Sequence, residues 1–339
     1  MSFKRFDTED LVVSSEAVAS TLWSTNAPIL TAFYTSSAQE ATSAGDYYTN
    51  VYSVPYTGSG TDQTQFSIAF AHKQGSGSLL YNSAVPGKSY SSTVYGQFRT
   101  LVLGDEDTDF SFGGVTSEYF YVISIDRNRY KESLIPGTFN LLLSGSAAAD
   151  KLTLTDNSVA TSVAVFNDAG RVYQIISGSN GASYDGGTGY SPASGSYGYF
   201  LPDVGLILLN GEALDETNAN GGISLSTGLT SNSDGLNERK LYNAIKAGAS
   251  FQLNSQETVS SQFAFVRVRN SEFNYSTNPS YITGSGDLRI TNMVNAPQTY
   301  ITTVGMYNDN NELLAVAKLS RPLLKDFTKE ALVRIKLDF

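Results

Sequence analysis

The chain has no cysteine and a single histidine in 339 residues. Without cysteine there are no disulfides and no thiolate metal ligands, so packing and assembly must hold the fold together. Zinc sites built from several histidines are excluded, because His72 stands alone. A Ser-His-Asp triad would need His72, but the chain has no Gly-x-Ser-x-Gly elbow, and we interpret His72 as a surface or loop residue.

Glycine motifs that bind phosphate or dinucleotides are missing as well. Paired carboxylates for glycoside hydrolysis are assembled in space and leave no sequence signature, but the fixed-period repeat expected of a polysaccharide depolymerase is not found. We therefore expect no enzyme activity and no cofactor.

Long apolar runs are also lacking. No stretch approaches the roughly 18 consecutive apolar residues that a membrane-spanning helix needs. The N-terminal MSFKRFDTEDLVVS contains acidic residues where a signal peptide would have its apolar core. The sequence thus predicts no membrane partner and a protein made and kept in the cytoplasm.

Charge is scarce and mostly of one sign. Only 16% of the residues are charged, and the net charge is −10. Because phosphates need a basic surface, nucleic acid is not an expected partner. Few charges leave a neutral surface rich in amides and hydroxyls, which is suited to packing between subunits.

Glycine, serine, threonine, asparagine and tyrosine are abundant, a composition that favours strands joined by many turns. We predict a mainly β protein with β-sandwich-like domains, an inserted small β-meander and one or two short helices. The pattern divides into an N-terminal β-rich domain (1–145), the meander with a Gly/Ser-rich loop (146–199) and a C-terminal β domain (200–339). Strands are predicted at 29–34, 51–56, 66–71, 98–103, 118–125, 138–143, 151–155, 162–166, 171–176 and 204–209, and helices at 236–247 and, with weaker propensity, 12–23.

The C-terminal segment has the clearest local pattern. Apolar runs at 301–307 and 313–319 flank the turn 308–311, an Asn/Asp cluster typical of a β-hairpin. Pro322 is expected to end the second strand, because proline donates no ladder hydrogen bond. In the last residues Val333, Ile335, Leu337 and Phe339 alternate with polar side chains, which predicts a half-buried terminal strand.

The hairpin sequence YITTVGMYNDNNELLAVAKLSRP (300–322) resembles the closing segment of virion structural proteins of large contractile-tailed bacteriophages, of the T4-like and cyanophage type. It is loosely similar to the phage tail-collar fibre domain as well. Two further segments, EYFYVISIDRNRYKESLIPGTFNLLLSG (118–145) and FVRVRNSEFNYSTNPSYIT (265–283), are similar to the same group. These segments cover well under half of the chain and carry no catalytic motif, so the resemblance implies a structural role.

Two groups of residues are candidates for binding. Asp105, Asp107 and Asp109 alternate as they would in a Ca²⁺ loop, but Phe110 and Thr116 replace the glycine and glutamate of an EF-hand. A divalent-cation site of another kind and a solvated acidic turn both stay open. The interface candidates are Arg267, Arg269, Tyr184, Tyr190, Tyr197, Tyr199 and Phe339.

The interface candidates rest on three patterns. Arg267 and Arg269 share one face of a predicted strand and could pair with an acidic partner chain, or could lie on an ordinary exposed face. The tyrosines lie in the Gly/Ser-rich tract 177–199, which is either a long surface loop or an adaptable contact loop. Phe339 closes the terminal strand, at a sheet or an interface.

Taken together, we expect a structural component of a bacteriophage virion, in the baseplate or fibre-attachment region of the contractile tail. Its expected partners are other tail subunits, in multiple copies per particle, and its expected location is the virion tail region after assembly in the host cytoplasm. The alternatives are a neck, collar or capsid-decorating protein, and a host-receptor module that binds surface glycans.

Overall fold

The computed structural model describes residue 5 and residues 7–36, 48–60, 62–78, 81–85, 88–145, 150–160, 165–184, 196–229, 236–275 and 279–338. The chain folds as two compact units: unit 1 comprises Met1–Ala17 and Thr258–Phe339, and unit 2 comprises Val18–Glu257. The described part of the chain is mainly β, which confirms the predicted fold class.

The strands are numbered in chain order. They are β1 (Leu11–Thr21), β2 (Ile29–Leu30), β3 (Tyr48–Tyr52), β4 (Thr64–His72), β5 (Ser111–Phe112), β6 (Val115–Thr116), β7 (Tyr119–Ile125), β8 (Ser133–Leu134), β9 (Asn140–Ser144), β10 (Lys151–Asp156), β11 (Val165–Asn167), β12 (Gly170–Ser179), β13 (Ala182–Ser183), β14 (Gly198–Leu201), β15 (Leu206–Asn210), β16 (Ser250–Gln252), β17 (Asn254–Val268), β18 (Gln298–Tyr307), β19 (Leu313–Asp326) and β20 (Ala331–Asp338). The α-helices are α1 (Tyr90–Leu103), α2 (Gly211–Asp215), α3 (Asn237–Gly248) and α4 (Asn292–Asn295).

Unit 2 is built on one large, curled antiparallel sheet. Its strand order is β2-β16-β9-β10-β12-β14-β15-β7-β4-β3, with β11 and β13 paired to β12. Because side chains alternate along a strand, each face of the sheet carries its own apolar core. One core contains Phe70 and Tyr121 with Leu241 of α3, and the other contains Ala71 and Phe120 with side chains of α1. Helices therefore cover both faces.

Unit 1 is smaller and has two β layers. Strand β17 lies between β1 and β20, and β18 and β19 form a separate hairpin. One face of the hairpin packs on the sheet around a small core of Ala264, Val333 and Ile335. This arrangement is sandwich-like. The hairpin and the alternation of the terminal strand are confirmed, because Val333 and Ile335 are buried whereas Arg334 and Lys336 are exposed.

The predicted end of the hairpin's second strand is wrong. Strand β19 continues past Pro322 to Asp326. Ile301 pairs with Leu323 but Thr303 pairs with Lys318, so residues 319–322 form a bulge opposite Thr302. A bulge needs no ladder donor at the extra residues, and this is why proline is tolerated there.

Two predicted elements have the opposite structure. Residues 12–23, predicted as a weak helix, contain most of strand β1, in agreement with the β-branched valines they carry. Residues 98–103, predicted as a strand, form the last part of α1, whose Val94, Phe98 and Val102 recur at helical spacing and are buried. The other predicted helix, 236–247, is confirmed as α3.

The predicted domain boundaries at 145/146 and 199/200 differ from the division into units. Both lie within unit 2, where strands on either side of each boundary pair in the same sheet. Strand β9 pairs with β10, and β14 pairs with β15. Hydrogen bonding across these points makes the segments parts of one unit, and the meander is continuous with the sheet around it.

Candidate functional site

Two of the tyrosines predicted for an interface are structural residues instead. Tyr197 is buried and its hydroxyl donates to the carbonyl oxygen of Gly221, 2.7 Å away. Tyr199 lies on β14, donates its hydroxyl to the carbonyl oxygen of Ser111, and has its pKa raised by burial. Tyr197 is therefore wrong as a contact residue, because it is buried, whereas Tyr199 is half-buried on β14 and its hydrogen bond within unit 2 accounts for its position. Tyr184 is exposed, and Tyr190 and Phe339 lie outside the described residues.

Arg267 and Arg269 are on the outer side of unit 1. Ala264 and Val268 are buried on the opposite face of β17, as the strand periodicity predicts, while Arg267 is exposed. The Arg267 guanidinium donates to the Glu330 carboxylate 2.8 Å away, so it has an acidic partner within its own chain. The pairing raises the pKa of Arg267. Because Glu330 already pairs with Arg267, the arginine does not need an acidic residue of another subunit.

The same outer face of unit 1 carries two more cations around an aromatic ring. The Arg334 guanidinium lies 4.5 Å from the ring centre of Phe263, and the Lys336 ammonium lies 6.0 Å from it. These are cation–π distances. Lys336 also pairs with Asp338 at 3.0 Å. The face is thus an aromatic and basic one whose charges are largely compensated within the chain.

The aspartates of 104–109 do not form a ligand set. Asp105 accepts hydrogen bonds from the Asp107 amide and the Thr108 hydroxyl within its own turn, which lowers its pKa. Asp109 pairs with Lys73 at 2.7 Å. Among the described residues there is no group of three or more His, Cys, Asp or Glu side chains that could hold a metal ion. The solvated acidic turn is the interpretation that fits.

A buried polar cluster in unit 2 joins β7 to the loops beside it. The Tyr119 hydroxyl donates to Asp215 at 2.9 Å, and Asp215 also accepts from the amide and hydroxyl of Thr227. Burial and the nearby Asp215 charge raise the pKa of Tyr119, and burial raises the pKa of Glu212. Asp215, at the end of α2, thus holds the helix to β7 through Tyr119 and to the following loop through Thr227, so the cluster has a structural explanation.

His72 is not the surface residue that the sequence suggested. It is buried at the end of β4, where its Nδ1 accepts hydrogen bonds from the amides of Gln74 and Ser76 and its ring stacks on Tyr119. Burial lowers the pKa of His72 from 6.5, although the charge of Glu118 acts in the opposite direction. The imidazole is held neutral as an acceptor for the turn that follows β4.

This geometry predicts a pH dependence of stability. The unfolded chain takes up a proton on His72 as the pH falls through 6.5, but the folded chain does so only at lower pH. Stability is therefore complete above that pH and declines below it, by about 1.4 kcal/mol for each unit of pKa difference. In urea unfolding, wild type should lose more stability between pH 7 and pH 5 than His72→Asn, which retains an acceptor but does not titrate. Equal losses would contradict this role.

A cleft of about 260 Å³ opens between α1 and strands β3, β4 and β7. Its lining contains one amide and several hydroxyls but no charged side chain: Tyr48, Ser67, Ala69, Val94, Gln97, Phe98, Val122 and Ser124. Small-molecule sites in proteins usually have volumes of about 300–1,000 Å³ with a few converging polar groups. The lining has no carboxylate, imidazole or amine that could act as a base on its serine and tyrosine hydroxyls.

Among the described residues, an extended exposed apolar surface lies on β1, whose residues 11–17 belong to unit 1 and 18–21 to unit 2. Strand β1 is exposed along almost its whole length, and Val13 is 69% exposed. Glu16 is the only charged residue among its eleven. Within the described part of the chain β1 pairs with β17 alone, so its other edge presents unpaired amide and carbonyl groups.

A second exposed apolar region lies at the end of the hairpin. We call it the hairpin-tip patch, and it consists of Tyr307, Leu313, Leu314 and Val316. Leu314 is 67% exposed and Val316 is 57% exposed. Val316 pairs with Gly305, and a Cβ added at Gly305 would lie 3.0 Å from the ring of Tyr307. The missing side chain therefore leaves room for the tyrosine ring beside Gly305.

A third region is the long connection between β17 and β18, described over residues 269–275 and 279–297. It has only short helical turns and α4, and it exposes large apolar side chains at Tyr275, Ile282, Leu288, Ile290 and Val294. The connection is tied to β19 by Lys325, whose ammonium donates to Asn270 and Asn274. Long connections with little secondary structure of their own are often binding segments, and exposed apolar patches often mark contact surfaces.

Sequence reasoning missed β1 and the connection as candidate sites. The signal was present in the low charge of 11–21, which contains neither lysine, arginine nor proline.

No helix within the described ranges is long and apolar enough to cross a membrane. Searches of protein-family models, curated protein sequences and solved structures find no match to this chain.

Proposed function

We propose that the chain is a structural subunit of a bacteriophage virion and acts by protein–protein assembly. The observation that carries this proposal is the exposure of large apolar side chains on β1, which has a single charged residue, and on the uncharged stretch 313–317 at the hairpin tip. Soluble monomers rarely expose extended apolar patches, and covering them with a neighbouring subunit is the main favourable term in association.

Within the virion, we assign the chain to the contractile tail, in the baseplate or fibre-attachment region. The hairpin 300–322 supports this assignment, because it resembles both contractile-phage virion proteins and, more loosely, the tail-collar fibre domain. The same hairpin carries the hairpin-tip patch. The segment with the resemblance is thus also one with surface to bury, and other tail subunits are its proposed partners.

Gold-labelled antibodies against the purified chain test the assignment. On intact, purified phage particles the label is expected at the tail tip. Label at the neck or head would overturn the tail position but keep the virion role. Absence of the protein from intact particles, measured by mass spectrometry of the same preparation, would overturn the virion role itself.

The hairpin-tip patch allows a test by substitution. Val316→Asp should leave the fold almost unchanged, within about 0.5 kcal/mol, because the side chain is already exposed. In an assembled particle the same change would bury a carboxylate in an apolar contact. We expect incorporation into particles to fall at least tenfold, measured by quantitative mass spectrometry of particles from cells that express the variant.

The matched control is Val165→Asp in unit 2, at a valine that is 64% exposed. It has the same substitution and a similar exposure but lies outside unit 1. Incorporation of this variant should stay within about twofold of wild type. Equal losses for the two variants would contradict a specific contact at the hairpin tip.

A further inference from the structure

The edges of the strands in unit 1 are not equally protected. Strand β20 carries Arg334 and Lys336, and β19 carries Pro322 at a bulge. Charged side chains, proline and bulges all discourage pairing with another chain. Strand β1 has no proline and only one charged residue, Glu16, over eleven positions. An unprotected edge of this length is suited to accept another strand.

The residue order of β1 points to which strand it accepts. The sequence reads Leu-Val-Val, then Ser-Ser-Glu, then Ala-Val-Ala over residues 11–19. Three apolar residues therefore stand on each side of three polar ones. In an antiparallel pair with an identical strand, such a pattern can place every apolar residue opposite an apolar one and every polar residue opposite a polar one.

Symmetry limits the possible registers. In a two-fold antiparallel pair one residue lies opposite itself, so the register is defined by that central residue. Centring on Ser14 would put Val12 opposite Glu16, and centring on Glu16 would put the two carboxylates opposite each other. Like charges directly opposite each other destabilise a sheet. Neither register matches the pattern.

A register centred on Ser15 gives every residue from 11 to 19 a compatible partner side chain. Glu16 then lies opposite a serine hydroxyl, which can donate to its carboxylate. All other pairs are apolar or small: Leu11 with Ala19, Val12 with Val18, Val13 with Ala17, and Ser15 with itself. Nine residues of each chain take part, a ladder of about 30 Å at strand spacing.

From these observations we propose that two copies of the chain associate by antiparallel pairing of β1 with β1 of the partner, centred on Ser15. The pairing joins the β20-β17-β1 sheet of each copy into one continuous sheet across a two-fold axis. It pairs the unpaired backbone groups of the β1 edge and covers Val13. The inference rests on the proposed assembly role and names a second copy as one of the partners.

The chain's lack of cysteine provides a direct test of register. Ser14→Cys, Ser15→Cys and Glu16→Cys each introduce a sole thiol at neighbouring positions of β1. In the proposed register only the Ser15 positions face each other, at a Cα separation that a disulfide spans. The other two positions are displaced by two residues, about 8 Å apart, which is beyond that reach.

With oxidised glutathione as oxidant, Ser15→Cys should form a covalent dimer at least tenfold faster than either neighbour. The two neighbours serve as matched controls, because they share its strand and solvent exposure. A maximal rate at Ser14→Cys or Glu16→Cys would overturn the register. Equal rates for all three would overturn ordered pairing of β1.

The mass in solution is an independent measurement. Light scattering of the wild-type chain at about 100 μM, a hundredfold above a micromolar Kd, should give twice the 36.4 kDa of one chain. Val13→Lys should restore the monomer, and Val165→Lys in unit 2 should not. A monomeric wild type overturns self-pairing alone if the chain is still found in phage particles, whereas absence from particles overturns the proposed function.

Discussion

Phe66→Ala is expected to lower the free energy of unfolding of unit 2 by about 3–5 kcal/mol. The ring is fully buried on β4 and is surrounded by other aromatic rings. Its centre lies 5.4 Å from that of Phe251 and 6.3 Å from those of Trp23 and Phe33. Truncation leaves a cavity that rigid neighbours fill poorly, so both the transfer term and the cavity term are lost. Urea unfolding measures the change.

Phe166→Ala is the matched control for this prediction. Phe166 lies on β11 of the same unit, but its side chain is 70% exposed. The same substitution there should change stability by no more than about 0.5 kcal/mol. If the two variants were equally stable, the aromatic cluster would not be the centre of the unit 2 core.

Lys325→Met is expected to destabilise unit 1 by about 3 kcal/mol. The side chain is fully buried, and its ammonium donates to the Asn270 carbonyl oxygen at 3.0 Å, to Asn274 Oδ1 at 2.7 Å and to the Asp326 carbonyl oxygen at 2.7 Å. Methionine retains the length of the stem but leaves three acceptors without this donor. The hydrogen bonds to a charged donor are the stronger kind, so their loss is costly.

Lys325→Met should also loosen the structure locally, in addition to lowering the stability of unit 1. Amide hydrogen exchange should become faster around Asn270 and Asn274, because Lys325 ties this segment to β19. Lys318→Met, on the exposed face of the same strand, is the control and should change neither stability nor exchange by a measurable amount. A neutral result for Lys325→Met would mean that the connection is held by other contacts.

The fold class and several elements could be predicted because local patterns decide them. The turn at 308–311 is closed by hydrogen bonds of Asn308, and Asn311 has the left-handed backbone that asparagine tolerates. The predicted helix 236–247 forms as α3, with its apolar side buried. In these segments the hydrophobic period and the turn residues agree with the tertiary contacts.

Two elements were predicted with the wrong type of secondary structure, and they show where local patterns are ambiguous. Residues 98–103 form a short apolar run, which periodicity alone cannot assign. The helical spacing becomes visible only when Val94 is considered together with Phe98 and Val102. For 12–23 the alanines and the valines have opposing preferences, and pairing with β17 decides in favour of a strand.

For the candidate surface, the sequence allowed a prediction of its general character but not of the residues that form it. Low charge in the sequence predicted a neutral surface rich in amides and hydroxyls, but which residues are exposed depends on the tertiary arrangement, and β1 and the hairpin-tip patch expose apolar side chains. Tyr197 and Tyr199 come from a Gly/Ser-rich tract, yet Tyr197 is buried and Tyr199 is half-buried on β14. Val13 and Leu314 have ordinary strand sequences around them, and their exposure follows from the small core of unit 1.

Hydrogen–deuterium exchange of the chain, free in dilute solution and within intact phage particles, tests most directly whether unit 1 is the assembly surface. We predict at least tenfold slower exchange in particles for the amides of β1, the hairpin β18–β19 and the connection between β17 and β18, and unchanged exchange for the β4–β7 pair in the interior of unit 2. Exchange in unit 1 that is equally fast in both states would contradict assembly through this surface.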